Sequence, residues 1–136
     1  MSSSPGPSRG LHITLWVLQV LLGIAFFATG FMKLVVPAAE LAEKMTWVRS
    51  PIGFLLPLIG AVEALGGLGL ILPSVTRIMP KLTPLAALGL VIVMVGAMGT
   101  HVALGEYPEV TAPLVFAVLC GFVGWGRWKK APIAAR

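Results

Sequence analysis

With 136 residues, a hydrophobic content of 57% and a charged content of only 11%, the chain carries too little charge to cover a water-soluble domain of its size. Its mean hydropathy of +0.96 places it in the membrane class. The net charge of +5 invites a nucleic-acid reading, but the basic residues flank apolar runs instead of gathering on one surface, and a single cysteine, Cys120, excludes an internal disulfide or a paired-thiol motif.

Residues 1–10 are Ser, Pro and Gly punctuation with nothing to bury, and predict a disordered tail. The apolar run that follows is too long for a signal peptide and has no A-x-A cleavage pattern, so a first membrane helix is expected over 11–36, stopped by Pro37. Gly23 and Gly30 lie seven residues apart on it, with Lys33 three beyond, and Gln19 and Thr29 read as groups that bond neighbouring helices or the local backbone. Over 38–49, Leu41, Met45 and Val48 share one stripe while Glu40 and Lys44 pair on another, beside Trp47; this pattern predicts a short interfacial helix that either caps the bundle's outer mouth or anchors the loop.

A second membrane helix is expected over 51–72, where Gly53, Gly60 and Gly67 recur every seven residues and Glu63 falls on their face. A carboxylate near the centre of a bilayer costs roughly 2.5 to 3.5 kcal/mol on insertion scales, so Glu63 should face protein, a partner charge or a cavity. Pro73 and Pro80 bracket a short turn before a third helix over 84–105, with Gly89, Gly96 and Ala103 on one stripe and His101 on another face. Glu106, Tyr107 and Glu109 follow in a loop. A fourth helix over 109–128 offers the small pair Ala117 and Gly121 and ends at Trp125, Arg127 and Trp128, an aromatic and basic stop before a basic tail over 129–136. Cys120 reads as a small packing residue on that helix.

Together these elements predict an all-α integral membrane fold, an antiparallel bundle of four transmembrane helices with a short outer interfacial helix over 38–49. Helix packing is assigned to Gly23, Gly30, Gly53, Gly60, Gly67, Gly89, Gly96, Ala117 and Gly121. The loop between the second and third helices and both tails hold most of the flanking Lys and Arg, so the positive-inside rule puts both termini in the cytoplasm and the protein in the plasma (inner) membrane.

In this topology Lys33, His101 and Glu106 lie near the outer end, and Glu63 sits roughly 16 Å below the start of its helix at 1.5 Å per residue. That offset predicts a polar column in the outer half of the bundle, and a direct Lys33 to Glu63 contact requires the lysine to bend inward or the helices to be offset. Such a column can neutralise itself, line a pocket for a polar headgroup or relay protons. Taken singly, Lys33 reads as a snorkelling side chain, His101 as a hydrogen-bonded packing histidine, and Glu106 and Glu109 as solvated loop carboxylates; Glu63 alone points to function by itself. No metal set, catalytic nucleophile, nucleotide fingerprint or flavin motif is visible, and His12 and His101 fall at opposite faces, too far apart to share a haem.

The stretches Gly30-Phe-Met-Lys33-Leu34, Gly60-Ala-Val-Glu63-Ala-Leu-Gly-Gly67, and His101 with Gly105-Glu106 resemble the DoxX-like superfamily of small four-helix membrane proteins in order and spacing, over nearly the whole apolar chain. Within it the sequence is also similar to the acetylcholine-receptor chaperone family called NACHO. That resemblance implies a four-helix bundle and assistance to partner membrane proteins; other relatives, subunits of a thiosulfate-to-quinone oxidoreductase, imply a quinone or redox partner. The chain departs from a self-sufficient redox enzyme in its single cysteine and lack of a cofactor motif, and it has no long cytosolic tail for client contacts. The expectation is therefore a non-enzymatic accessory or chaperone-like protein that binds a partner membrane protein or lipid, with Lys33, Glu63, His101 and Glu106 as the ligand or polar-network residues. The alternative is a quinone-binding membrane subunit of a redox complex. No resident cofactor is expected beyond a quinone or lipid, homo-oligomerisation suits the surplus of glycine stripes, and transport is disfavoured because one four-helix chain leaves little room for a pathway.

Overall fold

The computed structural model describes residues 8–136 and places the elements as α1 (Arg9–Val35), α2 (Ala38–Lys44), α3 (Leu56–Thr76), α4 (Leu82–Ala103) and α5 (Thr111–Trp125). Short 3₁₀ turns cover Thr46–Arg49, Gly53–Leu55 and Tyr107–Val110, and a π-helical turn covers Gly126–Lys130. With these extensions, four segments among the described residues are long and apolar enough to cross a membrane: Arg9–Val35, Gly53–Thr76, Leu82–Ala103 and Tyr107–Lys130. The chain is an all-α four-helix bundle with the short α2 between the first two long helices.

Local chemistry sets the boundaries. The disorder expected over 1–10 lies, for residues 1–7, outside the described residues; Arg9 and Gly10 instead open α1, because the Ser8 hydroxyl accepts the Leu11 N–H at 2.9 Å and caps the first turn. α1 stops at Val35, since Val36 precedes Pro37 and is pushed into extended backbone. α3 begins at Leu56, later than the sequence suggests, because Pro51 to Leu55 is taken up by turns. It also runs through Pro73 to Thr76 instead of stopping at Leu72. A membrane helix tolerates such a proline when neighbours satisfy the freed backbone groups, and the true stop is the left-handed backbone at Arg77 and Met79.

α1 and α3 run antiparallel with almost no side chain between them. A Cβ added at Gly67 would lie 2.5 Å from the Gly23 carbonyl oxygen and 2.6 Å from the Phe27 nitrogen, and one at Gly30 would lie 2.5 Å from the Gly60 carbonyl oxygen. Hydrogen at these four positions is what lets the two backbones touch. α4 then packs on α3 by seating Leu90 against Gly66 and Ala86 against Gly69, and meets α5 where Ala87 faces Gly124. Leu15 of α1 fills the space at Gly126 and closes the ring. The core between them contains Leu22, Phe26, Leu70, Met94, Ala117, Cys120 and Val123, with Phe26 and Phe116 edge to face at 5.4 Å.

Three glycines assigned to helix packing do not pack against the described residues. Among these, a Cβ at Gly89, Gly96 or Gly121 would meet nothing within 4 Å. In a chain that is apolar on every face, a seven-residue glycine spacing marks a stripe without saying whether protein or lipid covers it. Gly53 is also displaced from its expected role: it lies in the turn before α3, where a side chain would run into the Val48 carbonyl. Gly66, Gly69 and Gly126 serve as contact glycines although no spacing singled them out.

Candidate functional site

Because α3 starts at Leu56, Glu63 lies only seven residues into the helix, about 10 Å from its first turn at 1.5 Å per residue. The close approach of Gly30 to Gly60 then sets the base of Lys33 against α3: a Cβ on Gly60 would lie 2.9 Å from the Lys33 Cβ. Lys33 and Glu63 consequently meet directly, with Nζ 2.7 Å from Oε1 and side chains only 10% and 6% exposed. The close approach of the two backbones at Gly30 and Gly60 lets the lysine reach Glu63 despite the axial offset expected to keep them apart. The contact has the length of a charge-assisted hydrogen bond, and no other described residue bonds the buried Glu63 Oε1.

His101, on the last turn of α4, places Nδ1 3.0 Å from Glu106 Oε1. The Thr46 hydroxyl donates to the other oxygen, Glu106 Oε2, and so ties the segment after α2 to the segment after α4. These two contacts, Thr46 first and His101 second, hold the Glu106 carboxyl below its ordinary pKa by bonding the charged form. Glu109, in the following 3₁₀ turn, is exposed.

Both pairs line one cavity of about 780 Å³. Phe26, Ile59, Met94 and Phe116 supply apolar wall, Lys33 and Glu63 the deep polar end, and Thr46, Trp47, His101 and Glu106 the end near the turns. The volume suits a lipid- or drug-sized molecule, and a few convergent polar groups within apolar walls are what such sites present. Two further hydroxyls in the lining have already spent their hydrogens on backbone: Thr29 donates to Phe26 O and Thr100 to Gly96 O.

A second polar interior, at the end of the bundle that carries both termini, escaped the sequence reading of Arg127 as an interface anchor. Arg127 is 3% exposed; its Nε donates to Gln19 Oε1 at 2.6 Å, and its Nη1 donates to Ala131 O at 2.8 Å and lies 3.0 Å from His12 Nδ1. Gln19, fully buried, donates in turn to Leu70 O and to Ser74 Oγ, which is 2.8 Å from Thr83 Oγ1. Trp16 lies against the guanidinium at 5.5 Å. The available signal was Gln19, an amide inside an apolar run. This network joins α1, α3, α4 and the turn after α5, and leaves His12 at the opposite end from His101.

The sequence pattern of the DoxX-like family matches residues 17–123, well over half the chain. The chain belongs to the DoxX-like family. The match takes in Lys33, Glu63, His101 and Glu106 and stops short of Arg127. No curated protein and no solved structure matches the chain. This DoxX-like protein is thus an integral membrane protein with two polar interiors, of which the one at the Lys33 end opens onto a cavity. Among the described residues, no three His, Cys, Asp or Glu side chains gather closely enough to hold a metal ion.

Proposed function

We propose that this DoxX-like protein is a membrane accessory protein that binds an amphiphilic, lipid-class molecule in the cavity between α1, α3, α4 and α5. The observation that carries the reading is the buried Lys33–Glu63 pair at the deep end of a roughly 780 Å³ apolar-walled space. A charge pair is costly in hydrocarbon, and well-packed apolar side chains of similar volume are often as stable or more so, so its presence is hard to explain by stability alone. As a binding site the pair has a role: it fixes a polar head while the aromatic and aliphatic walls hold the body. The flanking Lys and Arg favour the Lys33 end facing away from the cytoplasm.

An isoprenoid quinone, a polar ring on an apolar tail, is one such amphiphile, and the His101–Glu106 pair supplies a proton acceptor beside the cavity, which supports a quinone-binding subunit whose electrons come from a partner. A partner membrane protein, or a second copy of the chain, is the second reading, and it rests on Gly89 and Gly121, whose open faces suit close helix approach.

The binding reading is tested by mass spectrometry of the protein released intact from nanodiscs. Wild type should retain one amphiphile, and Ala97→Trp, which fills the cavity from α4, should remain folded and lose it. Equal retention by both, or none by wild type, refutes the assignment.

A further inference from the structure

We propose that the head of the molecule held in this cavity is neutral and carries a hydroxyl, which bridges Lys33 and Glu63 from the cavity side; the inference rests on the binding reading above. Glu63 is 4% exposed and lines the cavity, and Lys33, 2.7 Å from Oε1, is the one partner its carboxylate has among the described residues. A carboxylate has about four acceptor positions, so most of those on Glu63 are left open to a ligand that donates.

The neighbouring groups narrow the choice. Thr29 and Thr100 have committed their hydrogens to backbone carbonyls, and Thr46 has committed its own to Glu106, so each offers the cavity only an acceptor. His101 directs Nδ1 at the Glu106 carboxylate, which can only accept while ionised; Nδ1 then carries the hydrogen, and in the neutral ring Nε2 is a further acceptor. Lys33 is the donor at the deep end. A ligand carbonyl or ether can accept from Lys33 but leaves Glu63 unmet. An anionic head is repelled by Glu63 and an ammonium head by Lys33. A hydroxyl is the smallest group that accepts from the ammonium and donates to the carboxylate at once, without adding charge to a low-dielectric site.

Trp47 lines the same cavity and reports on it. The protein in nanodiscs is titrated with an ω-bromo long-chain alcohol, its methyl ether, and the matching carboxylic acid and amine, the bromine quenching nearby tryptophan; Trp47→Phe defines the signal that belongs to the cavity. The alcohol should quench saturably and bind about tenfold tighter than the ether, the size of effect expected for one added hydrogen bond to a charged group. In Glu63→Met, which removes the carboxylate acceptors, that preference should fall below about twofold, while the wild-type comparison stands whether or not the variant folds. Equal binding of alcohol and ether, or tighter binding of the acid or the amine, overturns the hydroxyl and leaves the binding reading intact. Absence of saturable Trp47 quenching by all four overturns both.

Discussion

Replacing Gly67 by alanine puts a methyl group where two backbones already touch. The added Cβ would lie 2.5 Å from the Gly23 carbonyl oxygen and 2.6 Å from the Phe27 nitrogen, whereas ordinary contact begins at 3.4 Å, so α1 and α3 must separate locally by about 0.9 Å. Neither obstacle can swing aside, because both belong to helical main chain. Overpacking of this kind costs about 1 to 3 kcal/mol, and the better helix propensity of alanine returns roughly 0.5 to 1 kcal/mol, leaving a net loss of about 0 to 2.5 kcal/mol. Gly121→Ala is the control: its Cβ meets nothing, so it should be neutral or slightly stabilising. Steric trapping in bicelles measures both, and equal stability of the two variants would refute the view that α1 and α3 are joined by backbone contact.

Further outcomes follow from the polar groups. Lys33→Met strands a buried carboxylate and should destabilise the bundle by about 3 to 5 kcal/mol, and Lys33→Met with Glu63→Gln should recover most of that loss; a double variant as unstable as the single one would show that the pair does not act as a unit. Glu106 has its folded-state pKa lowered, chiefly by Thr46, so its contribution to holding the two end segments is complete above the ordinary carboxylate range and is lost as pH falls through the lowered value. In an NMR titration of the Glu106 carboxyl carbon, the wild-type midpoint should lie below 4.5 and Thr46→Val should move it upward; an unchanged midpoint would assign the shift to another cause.

The fold is legible in the sequence because the bilayer sets a length that four apolar runs meet and that turns and prolines separate. The inward placement of Glu63 is legible for a related reason: a carboxylate in hydrocarbon leaves few alternatives, and its own helix supplies glycines on that side. Its direct contact with Lys33 is not legible, because it depends on which glycines of α1 and α3 meet, and a seven-residue spacing does not fix that register. The fate of Gly89, Gly96 and Gly121 is hidden because lipid and protein interior are equally apolar, so hydrophobic patterning does not separate a buried face from a lipid-facing one. Arg127 is obscured by its position: basic residues beside tryptophans at a membrane boundary usually reach for headgroups, and its partner Gln19 lies in the first helix, 108 residues away.

The way Arg127 enters the interior also has a bearing on biosynthesis. α1 and α3 can join as soon as both have left the ribosome, since their contact needs nothing that follows. Among the described residues the side-chain oxygen of Gln19 accepts its hydrogen bond from a residue beyond α5, so it lacks that donor until the fourth membrane segment has been made. A chain cut before Arg127 therefore keeps an unmet amide oxygen inside the membrane.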